Sequence, residues 1–540
     1  MDLETNVLYY GDNLDVLRKH IPDESIDLIY LDPPFNSNRS YNVLFKESTG
    51  TGSEAQLEAF EDTWRWGPTA QAAYEEVVTG PNQDVARMLR AMVEGLTHNE
   101  VTAYLSMMAI RLVELHRVLK PTGSMYLHCD PTAGPYLRVL MDSVFRPRNF
   151  RSEIVWKRTS AHSSAQRYGP VHDTLLFYSR SDNYLWNQQF QPYDEYYRSQ
   201  FYTHVDPDGR RWRRSDLTGA GIRHGETGKP WRGLDVTAKG RHWAYPPAVL
   251  DTMDAEGKVH WPEKAGGMPM FKRYEEDQPG VPLQDMWTDI RPIHNLGQER
   301  LGYQTQKPLV LLERIINASS NPGDVILDPF CGCGTAVHAA QKLGRQWIGI
   351  DVTNLAIALI RRRMEDAFDG IEINVIGEPV DLAGARELAA RDKYQFQWWA
   401  ILKLGAQPVS GKKKGADRGI DGVLPFFAGP KEDYKRALVS VKGGEHVGVA
   451  MIRDLRGVLE RENEPLGILL TLTRPTREMK TEAAAAGFYQ NEFWQRQYPR
   501  IQIITIEELL HGKEPELPSQ RSPFAKAPRE REQAKTERLL

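Results

Sequence analysis

The chain has 540 residues, which at about 100–200 residues per domain means three or four structural units. Hydrophobic residues make up 41%, with 13 Trp, 22 Tyr and 17 Phe, so wholesale disorder is excluded. A formal charge of −4 excludes a uniformly basic coat for nucleic acid and confines any such contact to a local patch, and three cysteines (129, 331 and 333) exclude a disulfide scaffold and fit a reducing, cytoplasmic setting. The opening MDLETNVLYYGDN lacks a basic n-region and an apolar h-region, so no secretory signal is expected. No apolar run reaches ~18 residues, so no membrane span is expected either.

In chain order, VLYY at 7–10 is a short strand, and Asp12 caps a helix that runs to His20. IDLIYLD at 26–32 is the continuous apolar run of a strand buried on both faces, and it stops at Pro33-Pro34. Residues 36–100 are mixed, with a Gly/Ser/Thr-rich loop at 48–53. Residues 101–119 predict an amphipathic helix stopped by the PTG at 121–123, followed by the buried strand SMYLHCD. From 180 to 300 Gly, Pro, Trp, Arg and Asp dominate without periodicity, as in a loop-rich inserted module. From 305 alternation resumes: helix PLVLLERIINASS, strand VILDPF, turn CGCGT, helix AVHAAQKLG, strand QWIGIDV and helix LAIALIRRRMEDA. Residues 371–385 read as a linker. From 386 to 512 strands are expected at IDGVLPFF, ALVSVK, LGILLTLT and IQIITI, with helices at 391–404, 450–461 and 476–487. The tail after 513 has few apolar anchors and reads as disordered. The alternation predicts an α/β doubly wound sheet.

Two segments carry chemistry. Asp32-Pro33-Pro34-Phe35 ends a buried strand. An exocyclic amine on a base is a poor nucleophile because its lone pair is drawn into the ring. The Asp32 carboxylate and the Pro33 carbonyl, fixed by the two prolines, form a pair of acceptors for the two amino hydrogens. Phe35 is suited to stacking on a flipped base. The second segment, Asp328-Pro329-Phe330-Cys331-Gly332-Cys333-Gly334-Thr335, lies between a strand and a helix. Gly332 and Gly334 allow close approach of the backbone to a ligand at a helix N-terminus. The third glycine of the dehydrogenase fingerprint is absent, because position 337 is Val. Asp351 ends the next strand, 23 residues after Asp328, where an acidic residue holds ribose hydroxyls. A metal at Cys331 and Cys333 is disfavoured, since one CxC has no second pair nearby.

Together these residues resemble the β-group of amino-methylating DNA methyltransferases, in which the catalytic motif precedes the cofactor motif. The resemblance covers about 1–370. It includes Gly11-Asp12-Asn13, the Thr305-Gln306-Lys307-Pro308 segment, WKR at 156–158 and HDTLLFYSR at 172–180. It implies a circularly permuted, Rossmann-like methyltransferase sheet that uses S-adenosylmethionine. The cofactor would be held by Asp12, Lys307, Asp328, Phe330, Gly332, Gly334, Thr335 and Asp351, with catalysis at Asp32, Pro33, Pro34 and Phe35. Aspartate in the catalytic motif favours adenine N6 over cytosine N4. The implied setting is restriction-modification, acting on double-stranded DNA, with a second copy of the chain or a restriction subunit as protein partner.

The domains read as catalytic half 1–180, target recognition region 181–300, cofactor half 301–375, a further domain 386–512 and tail 513–540. Residues 211–250 hold eight Arg and Lys against three acidic residues, a local +5 with Trp212, Trp231, Trp243 and Tyr245 interleaved. Arg211, Arg213, Arg214, Arg223 and Arg241 are the candidate DNA contacts. Residues 386–512 resemble the catalytic domain of Mrr-like restriction endonucleases through Gly419-Ile420-Asp421-Gly422 and Val439-Ser440-Val441-Lys442. That likeness implies a Mg²⁺ at Asp421, with Lys442 helping to activate water. Position 440, where the family has an acid or amide, is Ser, a weak ligand for a hard cation, so poor cleavage is expected. The loop Lys412-Lys413-Lys414 would suit a DNA phosphate.

Overall fold

The computed structural model describes residues 3–34, 40–46, 52–61, 66–159, 166, 168–263, 267–293, 299, 301, 306–409, 419–429, 434–518 and 529–530. Phe35, Thr305 and Lys412 to Lys414 lie outside them. The chain divides into two compact units, Met1–Asn187 with Asp285–Leu540, and Gln188–Gln284.

The first unit is built on a nine-stranded sheet. Its strands are β1 (Val7–Tyr10), β2 (Ile26–Leu31), β3 (Leu119–Cys129), β4 (Phe150–Lys157), β5 (His172–Ser179), β6 (Met286–Trp287), β7 (Val325–Asp328), β8 (Gln346–Asp351) and β9 (Asn374–Ile376). The spatial order is β6-β4-β5-β3-β2-β7-β8-β1-β9. All pairs are parallel except β3 with β5 and β4 with β5. The decisive pair is β2 with β7, in which Leu28 and Ile29 face Ile326 and Leu327. Strands some 300 residues apart in sequence thus end side by side at the centre of the sheet.

Both faces of the sheet are covered, as continuous apolar strands require. Val7, Tyr9, Ile29 and Leu31 enter one core together with residues of α1 (Asn13–His20), α3 (Gln83–Leu96), α4 (Glu100–Val118) and α5 (Gly134–Phe145). Leu8, Leu28 and Tyr30, one residue out of phase, leave by the other face and are equally buried. Helices α6 (Leu309–Ser319), α7 (Thr335–Lys342) and α8 (Asn354–Ala367) follow the same alternation from strand to helix.

Local chemistry explains the element starts. Asp12 accepts from Leu14 N at 2.8 Å to cap α1. Asn99 and Thr102 form a reciprocal capping box on α4. In the mixed stretch 36–100 the structure has α2 (Pro68–Thr79) and α3, the latter capped by Asn82. Helix α4 stops at Val118, and PTG at 121–123 is drawn into the long β3, whose Leu119 already pairs with Ile26. The expected linker 371–385 contains β9, which extends the sheet beside β1, and the start of α9 (Leu382–Arg391). Three residues are too few to show a period, so that strand had no sequence signal. In the tail, Glu530 is anchored to His338 Nε2 at 3.0 Å and to Lys342 at 3.1 Å, so residues 529–530 are not free chain.

The C-terminal part of this unit is a five-stranded sheet in chain order. It comprises β10 (Gln407–Pro408), β11 (Gly422–Phe427), β12 (Tyr434–Lys442), β13 (Leu466–Thr471) and β14 (Ile501–Thr505). The first two pairs are antiparallel and the last two parallel. Helices α11 (Val449–Glu462) and α12 (Arg477–Ala485) supply its core with Leu438 and Leu469. Helix α10 (Lys393–Lys403) packs on α8, with Asn354 Nδ2 donating to the Gln395 carbonyl at 3.4 Å.

The second unit is narrower than 181–300. Asn187 donates its backbone N–H to the Ala318 carbonyl of α6 at 2.7 Å, and β6 pairs with β4, so both flanks belong to the first unit. A four-stranded antiparallel sheet joins Val259–His260, Met270–Tyr274, Arg211–Asp216 and His204–Val205 in that order. Beside it, Leu217, Trp231, Val236, Trp243 and Leu250 form a core. Trp212, Trp231 and Trp243 are therefore packing residues, and only Tyr245 of the four interleaved aromatics is exposed. Arg211, Arg214 and Arg223 are exposed. Arg241 is spent on Thr218, at 2.7 Å to its hydroxyl, and Arg213 on the Tyr197 hydroxyl at 3.2 Å. Among the described residues no helix is long and apolar enough to cross a membrane.

Candidate active site

The carboxyl ends of β1, β2, β7 and β8 surround one cavity of about 310 Å³, within the range of a small-molecule site. Gly11, Asp12 and Asn13 enter it from β1, Asp32 and Pro34 from β2, Asp328 to Cys333 from β7, and Asp351 to Thr353 from β8. Ligands of open α/β sheets bind at this end of the strands. Lys307, Phe330, Gly332 and Thr335 line the same cavity. All the described cofactor candidates except Gly334, and Asp32 and Pro34 of the catalytic ones, are thus brought together. Pro33 is buried directly between Asp32 and Pro34.

The turn after β7 depends on its glycines. Gly334 has φ +74°, and a Cβ there would meet Ile360 Cγ1 at 2.8 Å, so α8 leaves no room for a side chain. The turn opens the N-terminus of α7 at the cavity, with Thr335 as its first residue. Arg363, buried beneath it, donates to the Cys333 carbonyl at 3.2 Å and to Thr335 Oγ1 at 3.1 Å. Cys331 and Cys333 are buried free thiols whose pKa values burial pushes up.

The carboxylates are held by specific donors. Asp351 accepts from Gly332 N at 3.0 Å, Thr353 N at 2.9 Å and Thr353 Oγ1 at 2.8 Å. Burial outweighs those donors and pushes its pKa up to about 6. Burial, with Asp32 and Asp351 nearby, holds the Asp328 carboxyl well above the usual range. A pocket of this kind resists full ionisation until a cation enters it.

Lys307 pairs with Asp32, Nζ to Oδ2 at 2.5 Å. The sequence resemblance groups Lys307 with the cofactor residues, and here it also pairs with the carboxylate of Asp32. Further residues complete the site beyond those the sequence motifs point to. Arg111 Nη2 bridges both oxygens of Asp12 at 2.9 Å, and its Nε donates to Asn13 Oδ1 at 2.6 Å. Asn13 Nδ2 in turn donates to the Pro329 carbonyl at 2.8 Å, tying the turn after β1 to the cofactor turn. The signal was present: Arg111 falls on the apolar stripe of α4 with Tyr104, Met108 and Leu115, where a cation needs a buried partner. Tyr30, two residues before Asp32, also lines the cavity.

In the C-terminal domain Asp421 stands at the head of β11. It accepts from Val441 N at 2.6 Å, from Ser440 Oγ at 3.3 Å and from the Gln397 side chain. Its oxygens are occupied by the protein itself. Among the described residues no group of three His, Cys, Asp or Glu side chains could hold a metal ion. The donor set does not fit the Mg²⁺ that the sequence resemblance implied.

Residues 26–362 match the family model described as DNA methylase, more than half the chain. The chain belongs to the DNA methylase family. Residues 394–511 match the model described as NACHT-associated inactive Restriction Endonuclease 1. Among curated relatives, the type II methyltransferase M.EcaI of Enterobacter cloacae is 29% identical over 362 residues, 67% of this chain and 69% of that protein. The type III restriction-modification enzyme StyLTI Mod subunit of Salmonella typhimurium is 27% identical over 63% of this chain and 50% of its own length. The DNA adenine methyltransferase YhdJ of Escherichia coli is 25% identical over 67% and 84%. Among solved structures, the M1.HpyAVI–SAM complex aligns with 66% of this chain and 98% of its own, at 13% identity and TM-score 0.30. The cytosine-N4-specific PvuII DNA methyltransferase aligns with 68% and 89%, at 14% identity and TM-score 0.33.

Proposed function

We propose that this chain is a site-specific DNA methyltransferase that transfers methyl from S-adenosylmethionine to N6 of an adenine flipped out of the duplex. The observation that carries the reading is the β2–β7 pair, which brings Asp32 and the Asp328–Thr335 turn to one cavity. The cofactor supplies a methyl group on a cationic sulfonium. The residues present suit it. Asp32, Asp328 and Asp351 give the cavity an acidic lining, Asp351 is set to accept ribose hydroxyls, and Gly332 lets a ligand approach the backbone closely.

Asp32 and the Pro33 carbonyl would accept hydrogen bonds from the two amino hydrogens and aim the nitrogen lone pair at the methyl group, so that as the N–C bond formed and the S–C bond broke, the sulfur would leave as a neutral thioether and the nitrogen would lose one proton to solvent. No covalent intermediate with the base is needed, so the chain requires no nucleophile beyond the amine. Position and preorganised acceptors carry most of the effect. Lys307 must yield part of its bond to Asp32 as the amine arrives. In the inserted unit, the exposed Arg211, Arg214 and Arg223 are the better candidates for phosphate contact.

The C-terminal domain would engage DNA without cutting it, because Asp421 is occupied and Ser440 offers no charge. StyLTI Mod is by its name one subunit of a restriction-modification enzyme. A separate cleaving subunit would supply the cut that this domain lacks. The test is transfer of labelled methyl from S-adenosylmethionine to duplex DNA by the full chain, with the modified base identified after digestion. N6-methyladenine is expected. N4-methylcytosine would correct the target base, and an unlabelled duplex would refute the reading.

A further inference from the structure

A buried polar line lies behind Asp32 that the transfer chemistry above does not use. Tyr30 precedes Asp32 by two residues on β2, so both side chains leave by the same face. Tyr30 is 2% exposed, yet it lines the cavity. Its hydroxyl is 3.1 Å from His128 Nδ1. His128 Nε2 is 3.2 Å from Asp173 Oδ2. Asp173 Oδ1 faces Arg158 Nε at 3.0 Å, an ion pair without the alignment of a hydrogen bond. Strand register builds this line. Leu31 pairs with Leu127, so His128 follows on β3 at the level of Asp32, and Thr174 pairs with Cys129, so Asp173 follows on β5. The His128 ring is clamped edge-on by Tyr30 and Trp156, with interplanar angles of 88° and 85°.

The chemistry of the line sets its direction. Burial opposes charge on Asp173, but the hydrogen bond from His128 and the positive charges of Lys307 and Arg158 hold its pKa below the usual value. A carboxylate only accepts, so His128 donates through Nε2. Its Nδ1 lone pair then takes the Tyr30 hydroxyl proton. The Tyr30 oxygen then keeps its own lone pairs to accept, on a residue that lines the cavity. Leu327 pairs with Ile29, which places Tyr30 at the level of Asp328, at the seam between the catalytic and cofactor motifs.

We propose that Tyr30 is a further catalytic residue, its oxygen an acceptor at the seam where the methyl group passes from donor to amine, with His128 and Asp173 as positioning residues that hold that oxygen toward the cavity. The proposal rests on the methyl-transfer reading. A polar line of three residues on three adjacent strands, ending at the cavity wall, is costly to bury unless each member is satisfied, and it fixes one orientation of the hydroxyl.

The experiment uses the full chain and its Tyr30→Phe, Asp173→Asn and Tyr30→Phe/Asp173→Asn variants. Single-turnover transfer to duplex DNA and equilibrium binding of S-adenosylmethionine are measured side by side. Tyr30→Phe should slow transfer by about 10- to 100-fold, less than the ~10²–10³ of a full oxyanion donor, with the dissociation constant within about three-fold. In Asp173→Asn the amide oxygen stays toward Arg158 and the NH₂ turns to His128. That reverses the imidazole tautomer and makes Tyr30 a donor. It should cost a similar factor, and the double variant should be no slower than Tyr30→Phe by more than about two-fold. Transfer by Tyr30→Phe within about two-fold of wild type, or losses that multiply in the double variant, would overturn the proposal. The His128 tautomer, read by ¹⁵N-histidine labelling and assigned by its absence in His128→Gln, separates this proposal from the parent reading. Nε2–H in wild type and Nδ1–H in Asp173→Asn support the relay even if wild type labels no duplex. Nδ1–H or an imidazolium in wild type contradicts it even if transfer is brisk.

Discussion

Two regions of the molecule carry aspartates at the ends of sheet strands, and they differ in what faces them. Asp32 and Asp351 open onto a cavity among four strand ends. Asp421 opens onto Val441 N, Ser440 and Gln397, which consume its oxygens. In sequence both look like acidic residues poised for chemistry. All three carboxylates carry donors from the protein, Lys307 on Asp32 and Gly332 N, Thr353 N and Thr353 Oγ1 on Asp351, and the difference is whether the carboxylate also borders a cavity. The first arrangement waits for a ligand, while the second knits β11 to β12 and α10.

The largest expected effect separates the two regions by activity. Asp32→Asn keeps shape but offers an amide where the amine needs an anionic acceptor. Transfer should fall by about 10³-fold or more, as when one partner of a preorganised polar site is lost, with S-adenosylmethionine bound within about five-fold of wild type. Parallel transfer and binding assays decide it, and near-normal transfer would remove Asp32 from the mechanism.

Next is Asp351→Ala. Loss of two hydrogen bonds to a charged acceptor, at about 1.5–3 kcal/mol each, should weaken S-adenosylmethionine by roughly 10²-fold or more in calorimetric titration. An unchanged dissociation constant would make Asp351 a turn-stabilising residue for Gly332 and Thr353 only.

The pH dependence sharpens the same contrast. Burial raises Asp351 from 3.8 to about 6, so in the empty protein it gains a proton as pH falls through 6 and ceases to accept from two hydroxyls. Cofactor affinity should therefore fall below pH 6, by at most about ten-fold per pH unit, and Asp351→Asn should flatten the curve. The sign for stability is opposite. The folded state binds the proton more tightly than the unfolded chain, so the empty protein loses stability as pH rises from about 4 to about 6. Thermal melts across that window should show this loss, reduced in Asp351→Asn.

The smallest effect on activity belongs to the other region. Asp421→Ala should leave methyl transfer within about two-fold. Losing the acceptor of Val441 N should cost about 1–3 kcal/mol of stability in denaturant titration. Neither wild type nor this variant should linearise supercoiled plasmid with Mg²⁺ or Mn²⁺. Cleavage that disappears in the variant would show that Asp421 binds metal after all.

Much of this contrast was legible in the sequence, because short-range chemistry writes itself into adjacent residues. The strands ending at Asp32, Asp328 and Asp351 are apolar runs, the glycines of the cofactor turn sit where side chains cannot, and Ser440 already weakened the case for a metal. The unread features are those made by strands meeting across the sheet. Arg111 on Asp12, Lys307 on Asp32 and the Tyr30–His128–Asp173 line join residues 45 to 275 positions apart, and no local pattern specifies such partners. β9 was unreadable for a related reason, since pairing with β1 outweighed weak local preference. The interleaved tryptophans of the inserted unit went to its core because large apolar area is better buried than exposed.

The most direct test is methylation-sensitive sequencing of DNA from cells that express the chain or its Asp32→Asn variant. The account predicts N6-methyladenine in one defined sequence context with the wild type and none above background with the variant. No base modification with either chain, or equal modification with both, would contradict it.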